Sequence, residues 1–305
     1  MSTTPLPVAV EPTRDEHLVA AVEGAGGRVV GPAEARVLVW IGTVDDFPEL
    51  GDQVEWVALK TAGIEEYVAA GVIDDRRVWT NASGFYAENV AEHALALLLA
   101  GLRQLNTSVL RHWDKQPIDT AVRSLHGSTV AIIGAGGIAT SLIPRLSACG
   151  ARVIAVNRSG RPVDGAAVTL PSERTDEVWG QTDHVVLAAP ATAQTRHLIN
   201  AQSLEALPSH AWIVNVARGP LVDQTALVAA LRDGQIAGAA LDVTDPEPPA
   251  DDDPLWSLPN VIITPHVANP SSGLTRTMAP WMAENIRRYL AGEELLAVVT
   301  AGSAY

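Results

Sequence analysis

The sequence predicts an α/β protein built from two doubly wound parallel-sheet domains, and three observations lead there. Short β-branched runs alternate with helical segments along nearly the whole chain. A glycine-rich turn, Gly134-Ala135-Gly136-Gly137-Ile138-Ala139, stands between an apolar strand and a helix. The 305 residues, 47% of them hydrophobic, exceed one ordinary domain and suffice for two cores.

Residues from Pro7 to about Ala87 alternate strand and helix: Val8-Ala9-Val10, a helix near Arg14 to Glu23, then strands at Arg28-Val29-Val30, Val37 to Ile41 and Val54 to Leu59. Such a series belongs in a parallel sheet covered by helices on both faces. Gly24-Ala25-Gly26-Gly27 follows a helix and precedes a strand, the wrong order for a phosphate loop, and reads as a turn. Lys60-Thr61-Ala62-Gly63-Ile64 closes the strand that ends near Leu59, and the small Ala62-Gly63 pair lets an anion approach the backbone. Lys60 either adds charge there or points into water. Thr80-Asn81-Ala82-Ser83-Gly84 then leads into a long helix, about Ala87 to Gln104. Its Ala94, Leu95, Leu97, Leu98, Leu99 and Leu102 leave little polar face.

The second domain becomes explicit at Ser128 to Ile133, an apolar strand running straight into the glycine turn. Gly134 permits the tight turn, Gly136 lets the backbone approach a pyrophosphate, and Ala139 keeps the third position small for helix–strand packing. The helix that follows, to about Ser147, adds oriented N–H donors and a partial positive charge. Framed in this way the pattern predicts a dinucleotide cofactor. Roughly 20 residues past such a turn, an Asp or Glu accepts the ribose 2′-hydroxyl bonds of NAD. Here the stretch is Val156-Asn157-Arg158-Ser159-Gly160-Arg161, without a carboxylate. A carboxylate would repel a 2′-phosphate, whereas Asn157, Arg158, Ser159 and Arg161 can hydrogen-bond it and the arginines neutralise it. NADP(H) is therefore expected; NAD is the alternative, should these arginines only decorate a solvated loop.

Thr182 to Pro190 is the next strand, followed by a loop holding Thr192 and Thr195, and His184 and His197 read as structural. Trp212-Ile213-Val214 delivers Asn215-Val216-Ala217-Arg218-Gly219. A helix from about Asp223 to Asp233 precedes the strand Ile236 to Val243, with Asp242 at its tip. The acidic, proline-rich segment Asp245 to Pro254 contains Glu247-Pro248, and its Asp251-Asp252-Asp253 run reads as solvated surface. Val261 to Thr264 is the last strand and ends in Thr264-Pro265-His266-Val267-Ala268. A helix from about Ser271 to Leu290 then returns the chain to the first domain, giving domain segments 1–87, 88–268 and 269–305. In open α/β sheets the ligand crevice lies at the carboxyl ends of the strands, so Arg218, Glu247 and His266 are expected to converge on one bound molecule. An anion clamp with a histidine proton donor is the chemical reading; a buried ion pair or capped strand ends is the plain one.

Composition narrows the classes further. A formal net charge of −14 argues against nucleic acid or anionic membranes as partners. The most apolar stretch, Val90 to Leu102, is interrupted by Glu92 and His93 and is too short to cross ~30 Å of hydrocarbon. One cysteine, Cys149, cannot form an internal disulfide, which fits a reducing cytoplasm. The Met1-Ser2-Thr3-Thr4-Pro5 start lacks a basic segment followed by an apolar one, so no export signal is expected. No cluster has metal-ligand spacing, and no metal is expected.

The ordered set of Asn215-x-Ala217-Arg218-Gly219, Asp242-Val243, Glu247-Pro248 and Thr264-Pro265-His266, behind the glycine turn, resembles the D-2-hydroxyacid dehydrogenase family over nearly the whole chain. The resemblance implies a Rossmann cofactor domain inserted in a flavodoxin-like substrate domain. It also implies reversible hydride transfer between NADP(H) and a 2-oxo acid, giving a D-2-hydroxy acid. His266 would be the proton donor, Glu247 would bond its other ring nitrogen, and Arg218 would bridge the substrate carboxylate and carbonyl oxygen. The cofactor would meet Gly134, Gly136, Gly137, Ile138, the Asn157, Arg158, Ser159 and Arg161 loop, Pro190, Thr195, Ala217, Asp242 and His266, with Asp242 on the carboxamide side. The substrate would meet Ala62, Gly63, Arg218 and His266. Glu65 stands where the family usually has aspartate, and Lys60 where it has an apolar or small residue. The long helix packs against a partner subunit in relatives, so a homodimer is expected. Trp113 either reaches that partner's pocket, as aromatic residues do in glyoxylate and hydroxypyruvate reductases, or packs ordinarily. A 3-phosphoglycerate-type NAD dehydrogenase is the alternative, but the carboxylates of Gly42-Thr43-Val44-Asp45-Asp46 disfavour a phosphate, so glyoxylate or hydroxypyruvate is expected. In another class stands a nucleotide-sensing corepressor, against which the sequence offers no low-complexity tail.

Overall fold

The computed structural model describes residues 4–111 and 113–300. They divide into two compact units, one formed by residues up to 86 together with those from 270 on, the other by 87–269. Met1 to Thr3, where the export-signal reading begins, and the last five residues of the tail lie outside the described residues.

The first unit opens with β1 (Leu6–Glu11), α1 (Glu16–Gly24) and β2 (Gly27–Val29), followed by β3 (Val37–Trp40), β4 (Trp56–Leu59), the short α2 (Glu65–Ala69) and β5 (Val78–Thr80). Asp15 decides where α1 starts: its carboxylate accepts from the N–H groups of His17 and Leu18 at 2.9 and 3.2 Å. Along the strands, side chains alternate between two cores. Val8, Val10, Val37, Val39, Trp56 and Ala58 enter one; Ala9, Leu38, Trp40, Val57 and Leu59 enter the other. Because both faces are covered, these strands are apolar at nearly every position.

The second unit begins with α3 (Ala87–Leu102), which stops short of the Gln104 expected because Gln104 itself is left-handed, with φ 55°, and opens α4 (Leu105–Leu110). With α5 (Lys115–Ala121), this short helix occupies much of the segment read from sequence as the loop around Trp113. Then come β6 (Thr129–Ile133), α6 (Gly137–Ala148), β7 (Arg152–Asn157), β8 (Val168–Pro171), β9 (His184–Leu187), α7 (Ala201–Ala206), β10 (Trp212–Asn215), α8 (Gln224–Arg232), β11 (Gly238–Leu241) and β12 (Val261–Ile263). The seven strands are parallel and ordered β12-β11-β10-β9-β6-β7-β8, the dinucleotide-fold arrangement, with its reversal between β6 and β9. α3 lies against α6, β10 and β11, which buries Val90, Ala94, Leu97, Leu98 and Leu102. Of the acidic run, Asp251 and Asp252 are exposed. Asp253 departs from the solvated reading: it caps the turn at Pro254–Ser257 and accepts from Gln224 at 2.6 Å.

The chain returns through α9 (Leu274–Ala291), packed on α1, and β13 (Val298–Val299), antiparallel to β5. Met278, Met282 and Ile286 of α9 join Leu18 and Val22 of α1 in one core. The first sheet thus runs β13-β5-β4-β3-β1-β2, which contains the 2-1-3-4-5 flavodoxin-like order with an antiparallel strand added at its edge. Two doubly wound parallel-sheet domains are what the sequence predicts; β13 is an addition to that expectation.

Candidate active site

In the second unit, strand register aligns Val156, Ile133, Leu187, Asn215, Leu241 and Ile263 in one row across β7, β6, β9, β10, β11 and β12. Whatever follows these residues emerges on one edge of the sheet, at steps of ~4.8 Å from strand to strand. That edge receives the Asn157 to Arg161 loop, the glycine turn, Pro190, Arg218, Asp242 and the turn carrying His266.

The glycine turn is held by Val156, whose carbonyl accepts from the N–H groups of Gly134 and Ala135 at 2.9 and 2.8 Å. Gly134 has φ 102°, and a Cβ there would come within 2.3 Å of the Ala189 backbone nitrogen, so the protein itself requires glycine. Gly136, at the cap of α6, is different: a Cβ on it would meet no atom within 4 Å. What it keeps clear is space in front of the helix, where the N–H groups of Gly137 and Ile138 head a 12-residue dipole. Ala139 is fully buried against the sheet. These features fit a pyrophosphate.

After β7, Asn157 organises the loop. Its Nδ2 donates to the Arg161 carbonyl at 2.7 Å, and its Oδ1 accepts from the Ser159 N–H at 3.1 Å. Arg158 and Arg161 are exposed and take part in no ion pair among the described residues. After β9, the Thr195 hydroxyl donates to the Pro190 carbonyl at 2.7 Å and accepts from the Thr192 N–H at 2.8 Å, closing that loop. After β10, buried Asn215 accepts from the Ala217 N–H at 3.1 Å and donates to the Arg218 carbonyl at 2.8 Å. One amide therefore fixes the backbone on both sides of the Arg218 guanidinium, which donates to the Ala217 carbonyl at 2.7 Å.

His266 has a left-handed backbone, φ 51°. For a residue with a Cβ this costs about 1–2 kcal/mol, which the surroundings must offset. Asp242 does so: its carbonyl accepts the His266 N–H at 2.9 Å, and its carboxylate takes the N–H groups of Val267 and Ala268, each at 3.0 Å. The ring is held separately, with Nδ1 2.6 Å from Glu247 Oε1. Both side chains are about half exposed, and Nε2 has no partner among the described residues. Two contributors escape the sequence reading. His93 of α3 lies against Thr264 and Asp242, and Thr264 bonds Asp242. The available signal was a histidine breaking the apolar run of α3.

In the first unit, Lys60 to Gly63 follow β4. Asn81 donates to the Ala62 carbonyl at 2.5 Å, the Ala82 N–H to the Thr61 carbonyl at 2.9 Å, and the Tyr86 hydroxyl to the Lys60 carbonyl. Lys60 itself is partly buried rather than in open water; its ammonium donates to the Ile41 carbonyl at 2.5 Å, and burial holds it below the usual lysine range. Trp113 is 96% exposed, so ordinary packing within the chain does not account for it. A cavity of about 330 Å³ opens at the amino end of β9, lined by Gly180 to Asp183 and Ala206 to Pro208, away from the carboxyl edge.

Comparison with known proteins bears on this edge directly. A family model for the NAD binding domain of D-isomer specific 2-hydroxyacid dehydrogenases matches residues 93–268. An uncharacterized protein of Corynebacterium melassecola is 39% identical over 294 residues, which cover 95% of this chain and 97% of that one. A glycerate dehydrogenase of Methylorubrum extorquens is 31% identical over 288 residues, covering 91% and 87%. Among solved structures, the NADPH-dependent glyoxylate/hydroxypyruvate reductase of Sinorhizobium meliloti, in complex with NADP and sulfate, superposes with a TM-score of 0.82 at 26% identity, over 98% of this chain and 100% of that one. The chain therefore belongs to the D-isomer specific 2-hydroxyacid dehydrogenase family, and is an oxidoreductase that acts on CH–OH donors with a nicotinamide cofactor.

Proposed function

We propose that the chain is an NADP(H)-dependent reductase of a small 2-oxo acid, of the glyoxylate or hydroxypyruvate type, yielding the D-2-hydroxy acid. The observation that carries the cofactor choice is the loop after β7, where the Asn157 amide closes the turn and leaves the Arg158 and Arg161 guanidiniums exposed with no carboxylate between them. Two guanidiniums without an ion-pair partner among the described residues suit a 2′-phosphate, and they supply no acceptor for the proton of a ribose 2′-hydroxyl. The NADPH dependence of the Sinorhizobium meliloti enzyme supports the same reading. The Gly134 to Ile138 turn would hold the pyrophosphate, and Pro190, Thr195, Ala217, Asp242 and His266 would line the nicotinamide end. When bound, the dinucleotide supplies the hydride.

The chain's own residues do the rest. Arg218 binds the substrate carboxylate and polarises the carbonyl, so that charge developing on its oxygen meets a guanidinium already in place. The His266 Nε2 gives that oxygen its proton, and Glu247 holds Nδ1 so that the free nitrogen keeps one direction. Within the first unit, the small Ala62-Gly63 pair after β4 leaves backbone N–H groups open to an anion such as a carboxylate. Asp45 and Asp46 in the loop after β3 weigh against a phosphorylated substrate. A homodimer and a cytoplasmic location complete the proposal; the exposed Val109, Leu110 and Trp113 side chains support the first, and a single cysteine supports the second.

The test is kcat/KM for glyoxylate, hydroxypyruvate and 3-phosphohydroxypyruvate with NADPH and with NADH. An NADPH preference of about tenfold or more, and faster turnover of the unphosphorylated acids, are expected. An equal preference for NADH would defeat the cofactor choice. Dinucleotide binding without turnover of any acid would favour a sensor.

A further inference from the structure

The groups that fix the backbone of His266 lie behind it. Asp242 is buried, and its carboxylate accepts the Thr264 hydroxyl at 2.6 Å as well as the N–H groups of Val267 and Ala268. The Thr264 hydroxyl has a single hydrogen, which that short contact consumes. His93 Nε2 lies 3.0 Å from the same hydroxyl oxygen and 3.3 Å from the Asp242 carboxylate. Neither oxygen has a hydrogen left to give toward the imidazole, so Nε2 carries one and His93 is the donor.

The consequence reaches His266 through covalent neighbours. His266 lies between Thr264 and Val267, both bonded to Asp242 Oδ1, and its own N–H is on the Asp242 carbonyl. Its left-handed backbone therefore depends on how the Asp242 carboxylate is oriented, and His93 and Thr264 set that orientation. Glu247 governs the ring, whereas the Asp242 assembly governs the backbone from which the ring projects; the two controls come from different segments.

We infer that His93 is a positioning residue for proton transfer: a donor on α3 that, through Thr264 and Asp242, holds the His266 imidazole where its Nε2 can serve the substrate oxygen. The inference rests on His266 being the proton donor, as proposed above. It gives a function to one of the two polar residues that interrupt the apolar run from Val90 to Leu102, and it explains why a carboxylate as buried as Asp242 sits at the strand end.

Two substitutions separate this role from packing. His93→Leu removes the donor and keeps an apolar side chain of comparable bulk, while His93→Gln places an N–H the same number of bonds from Cα as Nε2. Steady-state kinetics with NADPH and glyoxylate, and ¹H–¹⁵N spectra of the His266 ring, are the readouts. His93→Leu lowers kcat about tenfold or more with both KM values changed by less than about threefold, and His93→Gln recovers most of the loss. The His266 ring signals move in the Leu variant and return in the Gln variant. Should His93→Leu not fold, His93→Asn, whose amide is one bond too short, takes its place with the same expectation. A donor-less variant with unchanged kcat, or a loss that Gln fails to restore, overturns the inference. If the unmodified protein reduces no 2-oxo acid, the functional reading fails on its own account; the spectra then decide, and unmoved His266 signals in the Leu variant overturn the positioning role.

Discussion

Gly134 and Gly136 stand two positions apart and need glycine for different reasons, which makes them separable by experiment. At Gly134 a Cβ would strike the Ala189 backbone at a positive φ, so Gly134→Ala should destabilise the second unit by at least about 2–3 kcal/mol. At Gly136 a Cβ meets no protein atom, so Gly136→Ala should change stability by less than about 1 kcal/mol. It should nevertheless raise KM for the dinucleotide on the order of tenfold, because the methyl stands in the space kept for the pyrophosphate. Urea denaturation and cofactor titration on the two variants check this, and equal losses of stability would count against it. The trio behaves differently again. His266→Ala and Arg218→Ala should each lower kcat by about 10²-fold or more, while Glu247→Gln, which loosens the ring but leaves Nε2, should cost less than either. Retained turnover in either alanine variant would remove these residues from the chemistry.

At the scale of elements, the amino end of β9 sets how the fold responds to acid. His184 is almost fully buried, and its Nδ1 accepts from the Trp212 N–H at 3.3 Å. Burial pulls its pKa from 6.5 down to about 4. Above pH 6.5 the ring is neutral in both folded and unfolded chains, and the stabilisation is complete. As pH falls from 6.5 toward 4 the unfolded chain takes up a proton that the folded one refuses, and on the order of 3 kcal/mol is lost. Burial works to raise the carboxyl pKa of neighbouring Asp183, but the Thr129 N–H and His210 outweigh it and hold it below 3.8, so its share is lost only at more acid pH. Urea midpoints between pH 7.5 and 4.5 should therefore fall, and fall less in His184→Leu; parallel profiles would refute the assignment. Elements also differ in how plainly the sequence announces them. Nine of the parallel strands were legible because their β-branched runs end in or near Gly, Asn, Asp or Pro, and those ends carry Gly134, Asn215 and Asp242. The strands β5, β7, β8 and β13 and the helices α2, α4, α5 and α7 were not, since two to seven residues hold too little periodicity. His93 was visible as an interruption of α3, but its partners Thr264 and Asp242 come from segments about 150 or more residues later, a distance no local pattern spans.

For the molecule as a whole, the decisive surface feature is apolar and local. Val109 and Leu110 at the end of α4 and Trp113 just beyond are 78%, 73% and 96% exposed, a density of large hydrophobic side chains that isolated surfaces seldom carry. This favours a second copy of the chain as the cover. The opposing force is charge: each chain carries −14, so two of them repel at long range. Repulsion between separated surface charges is screened within ~10 Å at 0.1 M salt, while apolar burial is not weakened by salt. Association should therefore hold or strengthen as salt rises, which is the opposite of what an interface held by ion pairs would do. Sedimentation at micromolar concentration should give a dimer at 0.1 and 0.5 M salt, and Val109→Asp combined with Leu110→Asp should shift it toward monomer. A monomer in the unmodified protein, or a dimer that dissociates as salt is added, would leave Trp113 exposed in solution and remove the argument that it reaches a partner.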